Sequence, residues 1–363
     1  MGAMVLQRRA YYHCPACRKG HCPVDADFGL KSSDLTVGAE ELAVLFGATA
    51  SFAEAAEKLL PKASGLRLAE STIERATEAA GQRLGEALAR GQTVGVAADW
   101  AWPVDATGQT VAYVSVDATG VPIQGEGGVQ AEGRMAWVGK VFAPKPQFKP
   151  DETTRRSPAP GHARYLAGLM SLQDLGEPLR RQAAQVGMDR AEHWVALSDC
   201  GSGVDDFLRV NFPRATRIAD FYHVAEHLGD LAKAWSGGDP DAAQVVLDRW
   251  CHTLKHEGGP VVLAKLEELD RSGRSESVLE VHRQVTQYIR NHQDRMDYPK
   301  YVASGWQIGS GHIEAACKTV VNERLKRSGM RWGEDGADAV CHLRALFKGD
   351  ADQWDAFWAG VIN

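Results

Sequence analysis

The sequence lacks any long uncharged apolar run. Its longest apolar-rich stretches, such as 42–52, fall well short of the roughly 18 residues that a membrane span requires, so we expect no membrane partner. The start of the chain lacks the apolar segment of a secretory signal. Seven cysteines, an odd number, argue against a disulfide framework. We therefore expect a cytoplasmic protein.

The sequence also lacks internal repeats, low-complexity tracts and an excess of basic residues. Its 41 Lys and Arg against 47 Asp and Glu give a net charge of −6. Because phosphate binding usually leaves a basic footprint, this balance argues against a protein that coats nucleic acid, but it is compatible with a local basic patch. What is present is the composition of a globular protein, with 44% hydrophobic and 24% charged residues over 363 positions. That length suits two or three domains.

The hydrophobic pattern divides the chain into helical and mixed segments. Helical spacing dominates 31–91, strand and helix patterns alternate over 92–222, and helical spacing returns over 223–304. A Pro-, Lys- and Thr-rich stretch at 144–161 is expected to be an exposed loop. From Gly309 one more helix is predicted to run to about Arg327. If this late helix returns to the mixed segment, 223–304 is an insertion.

Acidic residues follow three of the predicted strands. The strand pattern predicts five strands, at 111–116, 134–142, 165–172, 193–198 and 217–219. Asp117, Asp199 and Asp220 each come directly after one of them, and Asp99 is a rival for the first acid because it also follows a strand-like run. Since carboxylate oxygens are Mg²⁺ ligands, converging strand-end acids indicate two-metal phosphoryl transfer. For any one of these acids alone, opening a turn or capping a helix is the more usual role.

Another acid, Glu314, precedes the most basic stretch late in the chain. Ser310 is expected to cap the late helix and to place Glu314 in its first turns. The basic residues that follow are Lys318, Arg324, Lys326, Arg327 and Arg331. A helix that begins with a metal-binding acid and continues into basic side chains suits a phosphodiester backbone. The alternative is a solvated helix face on which Glu314 and Lys318 form an ion pair.

Three cysteines are crowded near the start of the chain. Cys14 and Cys17 form a CxxC knuckle, which is half of a zinc ribbon, and His13, His21 and Cys22 are candidates for the remaining ligands. A complete zinc site and a pair of free thiols are both open from the spacing alone.

Residues 51–90 form a candidate helix-turn-helix. Its second helix carries Glu70, Glu74 and Glu78 along one ridge, with Arg75 and Arg83 on another. Because the acidic ridge repels phosphates, DNA contact is expected only from the arginine side. A helical pair that simply packs against the rest of the protein is the commoner alternative.

Taken together, these segments resemble DDE transposases of bacterial insertion sequences. The closest likeness is to the Kra-type group, which is related to the Mutator-like transposases. The matching stretches are 11–17, 51–56, 71–73, 114–122, 197–201, 218–227, 309–314 and 324–332. Ala118 and Cys200 stand where family members usually carry glycine, and the upstream half of the zinc ribbon is missing.

The resemblance implies an α/β fold built on a ribonuclease-H-like core, a mixed five-stranded sheet with helices. This core would comprise 92–222 and 305–363, interrupted by an all-helical insertion at 223–304. A zinc-knuckle remnant at 1–30 and a helix-turn-helix-like region at 31–91 would precede it.

The resemblance also implies a set of roles for individual residues. Asp117, Asp199 and Glu314 would hold Mg²⁺ or Mn²⁺, while Asp220 and His223 would form an accessory Asp-x-x-His, with His223 orienting water at the metal. The five late basic residues would position DNA, both the transposon ends and the target. Transposases commonly act as multimers, so a homo-oligomer is expected.

Two other functions stay open at this point. One is a catalytically inactive relative that only binds DNA, which the missing half-ribbon and the two replaced glycines favour. The other is a metal-dependent nuclease of the same fold without strand transfer.

Overall fold

The computed structural model describes residues 10–27, 35–125, 132–144, 161–201, 203–309, 311–360 and 362. Of the loop predicted at 144–161, only the two end residues are described. The predicted cap Ser310 and the side chain of His21 lie outside the described residues.

The protein combines a small hairpin with one larger sheet. Strands β1 (Tyr12–His13) and β2 (Gly20–His21) pair antiparallel. The larger sheet has five strands in the order β5-β4-β3-β6-β7, with bounds β3 Val111–Val121, β4 Arg134–Ala143, β5 His162–Gly168, β6 His193–Ser198 and β7 Ala215–Ala219. Strands β3, β4 and β5 form an antiparallel meander, while β6 and β7 run parallel to β3. The predicted mixed α/β class, with a five-stranded mixed sheet, is confirmed.

Helices surround this sheet. Before it lie α1 Val24–Asp27, α2 Val37–Thr49, α3 Phe52–Glu54, a π-helical segment Ala55–Leu59, α4 Leu60–Ser64 and α5 Glu70–Ala89. Within it lie α6 Leu172–Gln185, the 3₁₀ turn Met188–Arg190 and α7 Val204–Asn211. After β7 come α8 Phe221–Trp235, α9 Pro240–Glu257, α10 Gly259–Glu267, α11 Glu276–His292, the 3₁₀ turn Gln293–Arg295 and α12 Tyr298–Ala303. The last elements are α13 Gly311–Ala316, a π-helical segment Cys317–Asn322, α14 Glu323–Leu325, α15 Glu334–Lys348 and α16 Ala351–Trp358.

Two of the predicted strands differ from the structure at their ends. Strand β3 continues past residue 116 because β4 keeps pairing with it as far as Val121 opposite Arg134. The strand predicted at 165–172 instead ends at Gly168, because Ser171 accepts the N–H of Asp174 and so caps α6. The other three predicted strands agree to within about two residues.

The two faces of the sheet bury different parts of the chain. Alternate residues of β3 divide between them: Ala112 and Val114 pack with α5, α6 and α15, while Val111 and Tyr113 pack with the helices α8–α12. The helical segment that follows β7 therefore covers one face of the sheet.

The helices before the sheet pack directly on the helices after it. Gly81 of α5 lies against Ala339 of α15 so closely that a Cβ there would come 2.2 Å from the Ala339 carbonyl oxygen. The face of α5 around Gly81 is therefore buried, while Arg75 and Arg83 remain exposed and Arg83 pairs with Glu40 at 3.0 Å. No helix in the described part of the chain is long and apolar enough to cross a membrane.

Candidate active site

Three aspartates lie at one level of three neighbouring strands. In the parallel part of the sheet, Ser115 pairs with Leu197, and Leu197 pairs with Ile218. Asp117, Asp199 and Asp220 each come two residues after one of these paired residues, so they share one level and one face of the sheet. We call these three aspartates the acid row.

Asp117 does not end its strand, which corrects the position expected from the sequence. It lies inside β3, opposite Val138 of β4. The parallel ladder with β6, however, stops at Ser115. Asp117 therefore still lies at the edge where β6 and β7 end, although its own strand continues.

The rival first acid, Asp99, lies at the opposite edge of the sheet. It pairs with Arg190 at 2.5 Å, and one of its oxygens lies beside Gly187. Both neighbours belong to the turn that leads into the start of β6. Asp99 is therefore separated from the acid row by the length of the strands.

The thiol of Cys317 lies where the acid row meets Glu314. Cys317 follows Glu314 by three residues, one helical turn, and its Sγ donates to Asp117 Oδ2 at 3.4 Å. Burial raises the pKa of this thiol well above its ordinary value, and the negative charges of Asp117, Asp199 and Glu314 raise it further. The charges of all three acids therefore act on one buried thiol.

The environment of Asp117 includes the charge of Asp199. Asp117 is half-buried, and burial is the main cause of the rise in its carboxyl pKa. The charge of Asp199 adds to that rise, while the Ala118 N–H, the Cys317 thiol and His223 oppose it. Desolvated carboxylates that repel each other favour the binding of a cation between them.

The donor chemistry of this cluster fits a hard divalent ion, but the side chains are not closed around one. Among the described residues, no group of three His, Cys, Asp or Glu side chains is spaced to hold a metal ion. Asp199 Oδ1 accepts the N–H of Gly201 at 2.8 Å, and Asp117 Oδ1 accepts that of Ala118 at 2.7 Å. Because Mg²⁺ often takes only one or two protein carboxylates together with water and phosphate oxygens, an open pair of acids is compatible with it.

Asp220 has the structural role that is usual for a strand-end aspartate. It is fully buried, and its Oδ1 accepts the N–H of Tyr222 at 2.7 Å, so it caps the start of α8. This cap holds His223 near the acid row, within electrostatic reach of Asp117.

The helical segment that follows β7 supports the middle of the acid row. Tyr288 of α11 donates its hydroxyl to the backbone carbonyl of Asp199 at 3.1 Å. The rings of His223 and His227 lie 6.0 and 4.2 Å from that of Tyr288. A wall of aromatic and imidazole rings therefore borders the acids on the insertion side.

Cys200, directly after Asp199, has a left-handed backbone with φ of 63°. A non-glycine residue pays about 1–2 kcal/mol for this conformation. The strain gives a physical reason for the glycine that the resembled family usually carries here. Cys200 is also buried, and burial is the main reason its thiol pKa rises to about 11.

The late basic residues do not all face solvent, which corrects one predicted role. Lys318, Lys326 and Arg331 are exposed. Arg324 is 1% exposed and lies between the rings of Phe52 and Trp332, so it is not available to a DNA backbone.

Three arginines instead bind the end of α2. Arg324 donates to Gly47 O at 3.0 Å and Arg344 to Ala48 O at 2.9 Å, while the exposed Arg327 donates to Thr49 O at 3.2 Å. These carbonyls belong to the last turn of α2, where helix carbonyls have no partner within the helix and attract cations. We call these residues the arginine clamp; it fixes α2 to the segment that carries Glu314.

At the other end of the described chain, the β1–β2 hairpin presents Cys14 and Cys17. Both are exposed and free, and the N–H of Cys17 is the main cause of a lowered pKa of the Cys14 thiol. Backbone N–H groups that favour a thiolate suit a zinc knuckle. His13 is exposed and Cys22 is half-buried, and the described residues do not complete a four-ligand site.

Neither Cys317 nor Tyr288 is among the site residues that the sequence predicts. The spacing of Cys317, one turn after Glu314, was the available signal. Nothing local in the sequence places Tyr288 beside Asp199, 89 residues earlier.

This chain matches no family model and no curated protein. Its function is therefore inferred from the site itself.

Proposed function

We propose that this protein is a DNA transposase of the DDE type, which cuts and joins phosphodiester bonds at the ends of an insertion sequence. The observation that carries the proposal is that Cys317 Sγ donates to Asp117 Oδ2 at 3.4 Å, while the charges of Asp199 and Glu314 also act on this thiol. Acids from two neighbouring strands and a late helix would then supply the oxygen ligands that metal-dependent phosphoryl transfer needs.

The order of the strands supports a ribonuclease-H-like core. An antiparallel meander of three strands is extended at its first strand by two parallel strands, which gives the order β5-β4-β3-β6-β7. The acid row lies where the parallel strands end, and the helical segment α8–α12 separates β7 from the helix that carries Glu314. This is the arrangement that the resemblance to Kra-type transposases implies.

In this proposal Asp117, Asp199 and Glu314 hold two Mg²⁺ or Mn²⁺ ions. When bound, the ions supply charge stabilisation for in-line displacement at phosphorus. His223, held by the Asp220 cap, orients the attacking water or 3′-hydroxyl by hydrogen bonding. The rings around Tyr288 limit access of bulk water on that side.

The DNA backbone would be bound by exposed basic side chains near the site. Lys318 follows Glu314 by one turn, and Lys326 donates to Thr119 Oγ1 at 3.4 Å, two residues beyond Asp117. Arg331 is also exposed in this stretch, as is Arg327, which donates to Thr49 O. The knuckle of Cys14 and Cys17 would hold zinc and contribute to recognition of the DNA ends, as would the exposed Arg75 of α5.

The decisive experiment is a strand-transfer assay with a matched pair of variants. The substrate is a pool of duplexes with randomised terminal sequence and free 3′-hydroxyl ends, offered with a supercoiled plasmid and Mn²⁺ or Mg²⁺. We expect joined product with the natural chain and a loss of about 100-fold or more with Asp199→Asn. Asp99→Asn is the control, because it removes an equivalent charge at the opposite edge of the sheet.

The other outcomes separate the alternatives. Nicked plasmid without joined product identifies a nuclease of the same fold. If there is no product, Mn²⁺ titration followed by electron paramagnetic resonance distinguishes the remaining cases. In an inactive DNA-binding relative, the natural chain and Asp199→Asn bind Mn²⁺ equally. If Asp199→Asn retains strand-transfer activity, the assignment of the acids is refuted.

A further inference from the structure

An exposed aromatic ring lies next to the acid row. Tyr222 is the second residue of α8, two residues after the capping Asp220 and directly before His223. Tyr222 is 62% exposed. Among the tyrosines, phenylalanines and tryptophans of the described residues, only Tyr11 and Tyr12 are as exposed. Because the Cα atoms of residues two apart lie within about 7 Å of each other, the Cα of Tyr222 lies about 7 Å or less from that of Asp220. This is roughly the length of one nucleotide.

The ring of Tyr222 is held in place although it is exposed. A Cβ on Gly309 would lie 2.5 Å from Cε2 and 2.6 Å from Cδ2 of the ring, so the ring rests directly on the backbone of Gly309. Phe221 packs edge-on against it, with ring centroids 5.6 Å apart. The Phe221 N–H donates to Ile308 O at 2.9 Å, which ties the start of α8 to the loop beneath the ring.

A fixed and exposed ring beside a phosphodiester site has the properties of a base-stacking surface. Every nucleobase has a flat π-face, and stacking on an aromatic side chain contributes to the binding of unpaired bases whatever their sequence. A base inside an intact duplex cannot reach such a ring without leaving the stack. The base that fits is therefore one left unpaired next to the phosphate at the acid row.

We propose that Tyr222 stacks on an unpaired nucleobase adjacent to the reacting phosphate, and so positions the DNA strand across Asp117 and Asp199. This inference rests on the proposed function and adds the form of DNA that the site binds. Opened or flipped DNA ends are then the preferred substrate over a continuous duplex.

The test uses the full chain and two DNA probes that differ in one respect. Both carry 2-aminopurine at the position next to the 3′-terminal phosphodiester; in one the base is unpaired, and in the other it is paired. With the natural chain we expect fluorescence quenching and tighter binding for the unpaired probe. Tyr222→Phe should keep both properties, whereas Tyr222→Ala should lose the quenching and weaken binding of the unpaired probe by roughly 5- to 100-fold.

Two further variants control for folding and for exposed apolar surface. Gly309→Ala leaves Tyr222 in the chain but displaces its ring. This variant should therefore reduce the quenching. Val245→Ala removes a similarly exposed apolar side chain (60%) from α9 and should leave both probes unaffected. Circular dichroism and thermal midpoints establish that all variants are folded.

The outcomes distinguish this inference from the proposed function. If the natural chain binds neither probe, the proposed function fails and the inference fails with it. If it binds DNA but Tyr222→Ala matches the natural chain on both probes, stacking is overturned and the proposed function stands. Equal weakening on paired and unpaired probes also overturns stacking, because it indicates a general effect on structure.

Discussion

Replacing Lys140 with methionine is expected to stabilise the protein at neutral pH. Lys140 lies on β4 opposite Ser115 and is only 5% exposed. Its ammonium group donates to the carbonyl of His312 at 3.3 Å and lies over the rings of Phe142 and Tyr165, at 4.5 and 5.3 Å. Burial lowers the pKa of this lysine to about 8.

The size and the pH dependence of the effect follow from that shift. The ordinary pKa is 10.5, so the charged form is disfavoured in the folded state by about 3 kcal/mol, at about 1.4 kcal/mol for each pH unit. Below pH 8 the lysine is charged in both states and the full cost is present. Between pH 8 and 10.5 the folded state loses its proton first, so the stability of the natural protein rises with pH. The advantage of Lys140→Met should therefore be largest at pH 7 and disappear above about pH 10.5.

Urea unfolding at pH 7 and pH 10 measures this difference directly. The lost hydrogen bond to His312 and the lost ring contacts reduce the gain, so an increase of about 2 kcal/mol in the free energy of unfolding at pH 7 is expected. Lys233→Met is the control, because Lys233 is 75% exposed and its loss should change stability by less than about 0.5 kcal/mol. A destabilised Lys140→Met protein at pH 7, or a gain that does not depend on pH, would refute the reasoning.

Three further predictions concern packing, the arginine clamp and the knuckle. Gly81→Ala should destabilise the protein by about 1–3 kcal/mol or more, because the added Cβ would lie 2.2 Å from a backbone atom. Gly38→Ala, on open helix surface, should instead stabilise the protein by about 0.5–1 kcal/mol. Chemical unfolding compares the two variants, and equal effects would contradict the packing argument. Arg344→Met should lower the free energy of unfolding by about 3 kcal/mol or more, because the carbonyls of Ala48 and Val320 lose their hydrogen-bond donor. An unchanged thermal midpoint would show that water replaces the arginine as donor. Purified protein should contain zinc, and Cys14→Ser should lower the metal content measured by a colorimetric chelator, whereas zinc-free natural protein indicates free thiols.

Much of the fold could be predicted from local patterns. The strand at 193–198 is a short apolar run that ends at Asp199, and the structure has it with the same bounds. The helical segment after Asp220 could be predicted because strand patterns are absent there. The extent of β3 could not, because residues 117–121 are held in the strand by pairing with β4 rather than by their own propensity.

The candidate site was harder to predict, for a related reason. The strand-end positions of Asp117 and Asp199 predict that these acids lie near each other, but the choice of these two with Glu314 as a set came from the resemblance, since spacing along the chain does not give distance in the fold. The position of Arg324 was predicted wrongly because a basic residue on a helix is usually solvated, whereas here unpaired carbonyls of α2 bind it in the interior. Such tertiary partners, like the hydroxyl of Tyr288 on Asp199, have no signature in the local sequence.

The separation of the acids along the chain has a consequence for biosynthesis. The strands that carry Asp117 and Asp199 can pair as soon as β6 has been made, but Glu314 is translated about two hundred residues after Asp117. Its segment packs on β3 and β4 through residues such as Ile313 and Val320, and the arginine clamp, which includes Arg344, ties it to α2. A nascent chain therefore contains Asp117 and Asp199 long before Glu314 is added, and the three acids can lie together only late in translation.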